Sequence, residues 1–223
     1  MTQQFTFSFP IQRSFKSEDY FINATNKDIA HYIHQWPAWP HFCSILYGAT
    51  GSGKSHLGHI YQERSQAFSL NAEELETTTV ERLSPCSLLI DDLPLDSELS
   101  EKQEENLFHL YNWVRNEQKT LLILTHSSPA NWRIRLPDLR SRLRAATLLK
   151  LPLPDDDLLT RIYIKLFADH QLSVSLSVIS YLVKFGERSF TAAYRVVEML
   201  SQQSLSEKKR ITISLVREAI KNI

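Results

Sequence analysis

Gly48-Ala49-Thr50-Gly51-Ser52-Gly53-Lys54-Ser55 satisfies every fixed position of G-x-x-x-x-G-K-[ST], and each residue type has a physical task in that pattern. The glycines let backbone N–H groups turn toward phosphate oxygens with no Cβ in the way. Lys54 would set a positive charge on the β and γ phosphates, and the Ser55 hydroxyl can bind Mg²⁺. A helix opening near Gly53 adds its positive N-terminal end. The whole chain has only five glycines, and four of them fall between Gly48 and Gly58, so the loop is not a by-product of glycine-rich composition. Gly48, Thr50, Gly51, Ser52, Gly53, Lys54, Ser55 and the adjoining His56 are the candidate contacts for ADP or ATP.

The flanks agree with the loop. An apolar run at 42–47 precedes it, and residues 54–64 follow with helical period. Further runs of strand length lie at 67–70, 87–90, 121–124 and 147–151, with helical segments expected at 72–83 and 101–118. Strands alternating with helices predict an α/β fold, a parallel sheet covered by helices on both faces. Upstream, 26–35 reads as a helix with Asn26 as its N-cap, ended by Trp36-Pro37-Ala38-Trp39-Pro40, since proline excludes helix interior. Past Pro152 the strands cease. Residues 155–170, 176–185, 189–204 and 214–222 all read as helices, and Pro152 and Pro154 mark a joint. The expected division is an extended N-terminal arm at 1–10, an α/β nucleotide-binding domain at 11–153 and a small all-α lid at 154–223.

Bulk properties remove several function classes. Lys plus Arg and Asp plus Glu number 25 each, so no global positive field for nucleic acid exists, although Arg133 to Arg144 form a local basic patch. No apolar run reaches the length of a membrane-spanning helix. The first fifteen residues lack the charged and apolar regions of a signal peptide. Cys43 and Cys86 sit in apolar runs and read as reduced core residues of a cytoplasmic protein. His31 with His34, and His56 with His59, have i,i+3 spacing but no acidic or cysteine partner at ligand spacing. Trp36 and Trp39 beside prolines read as packing residues, and no nucleophile elbow is present.

Two further elements bear on phosphate chemistry. Residues 87–92, Ser-Leu-Leu-Ile-Asp91-Asp92, form an apolar strand ending in two carboxylates. Asp91 is the candidate Mg²⁺ ligand and Asp92 the candidate for orienting an attacking water. Asp92 is one methylene shorter than glutamate, which points to weak or absent intrinsic hydrolysis. In the arm, Gln4 is followed by Phe5, Phe7 and Phe9, which share one face of an extended chain. Such a stripe suits a partner's apolar groove, or an edge strand of the protein's own fold.

Leu136-Pro137-Asp138-Leu139-Arg140-Ser141-Arg142-Leu143 closes the set. Together with Asp91-Asp92, Glu104-Glu105, Phe108 and Tyr111-Asn112, it resembles the DnaA-related AAA+ family. Within that family the chain is most similar to the Hda branch, the regulatory inactivators of DnaA, in the form called HdaA; the likeness covers nearly the whole chain. The resemblance implies that Thr125, ending a strand between the other two, faces the γ-phosphate, and that Arg142 is an arginine finger acting in trans. It also implies that Arg188 reads the nucleotide from the lid, that Ile22 and Asn26 lie near the adenine, and that the arm is a clamp-binding motif. In that motif phenylalanine stands where leucine is usual and Ser8 where proline is common.

The function implied is control of replication initiation. The protein would hold ADP or ATP with Mg²⁺, dock on the DNA polymerase sliding clamp (beta subunit) and present Arg142 to ATP on DnaA. Contact with DNA would come mainly through the clamp, and self-association as a homodimer or oligomer is open. Full-length DnaA is not expected, because no C-terminal helix-turn-helix domain follows the lid. Two rivals stay open: a helicase-loader ATPase of the DnaC type, and a small-molecule P-loop kinase.

Overall fold

A computed structural model describes residues 19–80, 83–207 and 210–221. Gln4, Phe5, Phe7 and Phe9 of the arm lie outside the described residues. The chain divides between Pro152 and Leu153 into two units.

In the first unit, strands β1 (Cys43–Tyr47), β2 (Phe68–Leu70), β3 (Leu88–Ile90), β4 (Leu121–Thr125) and β5 (Thr147–Lys150) form one sheet in the order β2-β3-β4-β1-β5. Every pairing is parallel. The inner strands β3 and β4 are buried throughout and β1 nearly so, whereas β2 and β5 at the edges are partly exposed. This explains the compositions: strands covered on both faces need continuous apolar sequence, as in Leu-Leu-Ile-Leu, and edges do not. Thr125 thus ends a strand lying between β1 and β3, the strand order that the family resemblance implies.

The two-residue strand period sorts neighbouring side chains into two cores. Leu121 and Ile123 join Ile45, Ile90, Leu107, Leu110, Leu139 and Leu143 on one face. Leu122 and Leu124 join Leu46, Leu89, Ala30, Ile33, Leu57 and Tyr61 on the other. Helices α1 (Lys27–His34) and α2 (Lys54–Ser65) therefore cover one face, and α3 (Glu101–Asn116) and α4 (Pro137–Ala145) the other. Trp39 packs as expected, stacked between Tyr32 and Tyr61 with ring centroids 5.2 and 5.0 Å away.

The helix expected at 72–83 does not form; among the described residues Glu74–Glu76 make a 3-10 turn. Asn71 and Glu74 begin as a helix would, with Glu74 N–H donating to Asn71 Oδ1 at 2.8 Å and Asn71 N–H to Glu74 Oε2 at 2.9 Å. Three threonines follow, and the hydroxyls of Thr77 and Thr78 both donate to the Glu74 carbonyl, at 3.3 and 2.8 Å. β-branched residues that bond back to backbone in this way favour an ended turn over a propagated helix.

Helix α3 starts with a complete capping box between Ser100 and Gln103, which satisfies two otherwise unpaired donors. It also anchors α4. Glu104 is 3% exposed, and its two carboxylate oxygens accept from Arg135 N–H at 3.0 Å and Leu136 N–H at 2.7 Å. Pro137 then opens α4, where its missing N–H costs nothing. Glu104→Gln would set an amide NH₂ against one of those N–H groups. It is expected to destabilise the protein by about 1–3 kcal/mol, measured as a lower midpoint in urea unfolding with an unchanged slope.

The second unit comprises α5 (Asp156–Asp169), α6 (Leu176–Phe185), α7 (Phe190–Glu207) and α8 (Ile213–Lys221), with no strand among its described residues. Asp155 caps α5, its carboxylate accepting from Leu158 N–H at 2.9 Å. Leu158, Leu159, Ile162, Leu166 and Phe167 recur at helical spacing and are buried with Val178, Leu182, Val196 and Leu200.

Candidate functional site

Three parallel strands end side by side, and the loops after them build the site. Gly48 to Gly53 join β1 to α2; Asp91 and Asp92 follow β3; Thr125 closes β4. Such a location, beyond the carboxyl ends of parallel strands, is where α/β sheets bind ligands.

The loop's glycines are used as the motif demands. Gly51 (φ 74°) and Gly53 (φ 100°) occupy the left-handed region, which costs glycine nothing. A Cβ on Gly48 would stand 2.2 Å from the Leu151 carbonyl oxygen, so no side chain fits there. Ser52 is buried, and its Oγ has no hydrogen-bond partner among the described residues. An unpaired buried hydroxyl inside a cradle of backbone N–H groups fits an incoming phosphate oxygen. Thr50 is exposed at the loop's apex.

Lys54 is buried, and its ammonium donates to the Gly48 carbonyl at 2.8 Å and the Ala49 carbonyl at 3.0 Å. Burial holds its pKa below the ordinary lysine value; the nearby Asp92 and Asp91 charges act the other way. The Ser55 hydroxyl donates to Asp91 Oδ1 at 3.4 Å. A serine hydroxyl and a carboxylate are hard oxygen donors of the kind Mg²⁺ takes, so Ser55 and Asp91 fit as its protein ligands. Burial is the main cause raising the Asp91 carboxyl above the usual carboxylate range.

The sign of that shift makes a prediction. A carboxyl with a raised folded-state pKa contributes stability below its unfolded pKa and loses it as pH rises through the folded value. At neutral pH, therefore, the ionised Asp91 weakens the metal-free fold. Asp91→Asn is expected to raise the melting temperature of the metal-free protein at pH 7 while abolishing any Mg²⁺ dependence of nucleotide affinity. Thermal melts with and without Mg²⁺ check both halves.

Asp92 occupies a left-handed backbone conformation, φ 52°. That conformation lets the chain turn back, so that Leu93 N–H donates to the Leu124 carbonyl at 2.8 Å. The Asp92 side chain is 80% exposed, with His126 Nδ1 3.8 Å from its carboxylate. His126 Nε2 lies 3.1 Å from Asp96 as well. Sequence reasoning passed over His126, although its place directly after Thr125 at a strand end was a signal. Thr125 itself is fully buried, and its Oγ1 lies 3.1 Å from Ser127 Oγ. Ser127 was likewise missed.

Of the two residues expected near the adenine, Ile22 is 48% exposed. Asn26 is instead turned inward. It is 3% exposed; its Oδ1 accepts from Asn23 N–H, and its Nδ2 donates to the Phe21 carbonyl and the Tyr20 hydroxyl. The side-chain N-cap expected of Asn26 is absent, because the amide ties the preceding segment together. Tyr20, also missed, lies edge-on to His56 with ring centroids 5.2 Å apart.

Arg142 does not project as a free finger. Its guanidinium lies over the Phe108 ring, 4.5 Å from the centroid, and 5.8 Å from that of Tyr111. Arg140 and Arg144, two residues away on either side, are exposed. In the second unit Arg188 precedes α7 and pairs with Asp156 of α5.

The chain is 25% identical over 199 residues to the chromosomal replication initiator DnaA of Buchnera aphidicola, covering 80% of this chain and 43% of that protein. It thus spans under half the length of the DnaA relatives it matches. An uncharacterized Haemophilus influenzae protein is 26% identical, with 78% of this chain and 80% of that one covered. Domain III of Thermotoga maritima DnaA superposes with a TM-score of 0.81 at 17% identity, over 96% of this chain and 98% of that one. DnaA bound to AMPPCP and single-stranded DNA gives 0.68 at 18% identity, over 86% and 66%. No protein-family model matches the chain. Fold and loop are those of an AAA+ P-loop domain. More particularly, the chain is similar to DnaA in sequence and to domain III of DnaA in fold.

Proposed function

We propose that the protein is a regulatory inactivator of the replication initiator DnaA. It binds ADP or ATP with Mg²⁺, docks on the DNA-loaded sliding clamp through Gln4, Phe5, Phe7 and Phe9, and offers Arg142 to ATP held by DnaA. Hydrolysis then leaves the initiator in its ADP form. The observation that carries the reading is a full phosphate loop and an arginine-bearing α4 on one DnaA-like AAA+ domain. That combination lets one domain hold nucleotide and also contribute a guanidinium to its neighbour's transferring phosphoryl group. Lys54, Ser55 and Asp91 would grip the polyphosphate and its metal, with Gly48 and Gly51 to Gly53 lending backbone N–H groups. Magnesium would neutralise charge on the β and γ oxygens. Thr125 and Arg188 would read the nucleotide from the strand end and the lid.

Intrinsic turnover is expected to be slow, since the Asp92 carboxylate is short and turned to solvent. The decisive assay combines the protein with DnaA–ATP, clamp and DNA and follows γ-phosphate release. Acceleration that needs the clamp and residues 1–9 supports the reading. Phosphate release by the protein alone on single-stranded DNA would favour a helicase loader. Transfer to a metabolite would favour a kinase.

A further inference from the structure

The withdrawn position of Arg142 has a specific architecture. Phe108 and Tyr111 are one helical turn apart on α3, so their rings lie on one face, and α4 lays the guanidinium across them. Both distances fall within the range where a ring quadrupole attracts a cation. Arg142 Nη1 is sealed from solvent and has no hydrogen-bond partner among the described residues. A nitrogen in that position cannot touch a phosphate on another molecule. For Arg142 to present both terminal nitrogens in trans, as a fork gripping two phosphoryl oxygens, the side chain must first leave the rings.

We propose that Phe108, with Tyr111, is a positioning residue for Arg142, holding the guanidinium withdrawn until a partner-bound polyphosphate draws it off. The unpaired Nη1 N–H gives the withdrawn state its bias toward release, because an anion would satisfy a donor that the aromatic face leaves unsatisfied. The rings supply the opposing hold. The finger is thereby kept from stray anions and delivered where charge is concentrated. The proposal rests on the reading of Arg142 as a trans-acting finger, but the withdrawal itself is testable on the protein alone.

Phenylglyoxal, an arginine-selective reagent, would be applied to the purified protein and modification followed residue by residue by mass spectrometry. Arg142 should react more slowly than the exposed Arg140 and Arg144. Phe108→Leu, which keeps apolar bulk but removes the ring, should speed Arg142 modification about two- to fivefold, the strength of a partly exposed cation–ring contact. Phe108→Tyr should leave it slow. An Arg142 rate unaffected by Phe108→Leu would overturn the proposal. If that variant does not fold, the wild-type protein still decides: Arg142 side-chain protons must show an upfield ring-current shift by NMR relative to those of Arg140 and Arg144, and its absence overturns the proposal. In the assay with DnaA–ATP, Phe108→Leu should raise stimulated phosphate release by a similar factor and Phe108→Tyr should not. A folded Phe108→Leu protein as inactive as Arg142→Ala would overturn withdrawal in favour of a delivery role. No stimulation by the wild type would count against the regulator reading, while the reactivity result would still stand.

Discussion

Lys54→Ala is expected to lower affinity for ADP and ATP by about a hundredfold or more, since hydrogen bonds to charged groups are each worth roughly 1.5–3 kcal/mol and the site is partly desolvated. The ammonium now bonds to two carbonyls of its own loop. These contacts hold it within the loop that would cradle the phosphates. Alanine supplies no charge there and takes a donor from each carbonyl, although that of Ala49 still accepts from Ser52 N–H at 3.2 Å. Folding should suffer far less than binding, because burial already lowers the lysine pKa; the charge is kept in this place at a cost to the fold. Calorimetric titration with ADP and ATP in Mg²⁺, beside a thermal melt, separates the two effects. Unchanged heats of binding in a folded Lys54→Ala protein would remove the basis for every nucleotide-dependent statement about this chain.

The phosphate loop and strand pattern were legible because each is a local property. Glycine at positive φ, alternation of strand and helix, and continuous apolar runs in covered strands all act within a few residues of themselves. The 72–83 segment misled for a reason of the same kind: its apolar spacing suited a helix, but the threonines after Glu76 bond back to the turn and end it. What stayed hidden was the direction of side chains whose partners are distant in sequence. Asn26 looked available to a ligand, yet its amide is committed to Phe21, Asn23 and Tyr20. Arg142 looked like an open cation, yet the rings that hold it belong to α3. Glu104 stood out only as part of a likeness. Its work, accepting two backbone N–H groups ahead of α4, emerges only when α3 and the 135–136 segment come together.

Arg142→Ala is expected to reduce stimulated hydrolysis of DnaA-bound ATP by on the order of a thousandfold, the lower end of what a trans-acting arginine contributes. The same substitution should leave this protein's own affinity for ADP and ATP unchanged, because the guanidinium lies over Phe108 of α3, on the sheet face opposite α2. Lysine should not rescue it: a compact ammonium cannot reproduce the planar fork that grips two oxygens of a transferring phosphoryl group. Arg140→Ala and Arg144→Ala serve as controls, being exposed on the same helix and directed elsewhere; a general loss of basic charge would weaken all three alike and do so more at low salt. Phosphate release under saturating DnaA–ATP reads the chemical effect free of binding. Lys54→Ala and Arg142→Ala then fail in separable ways. The first loses its own nucleotide and, with it, whatever the nucleotide-bound form is needed for. The second still binds nucleotide and partner but does not accelerate the reaction. Equal stimulation by wild type and Arg142→Ala would place the source of any acceleration outside α4 and end the case for a finger on this chain.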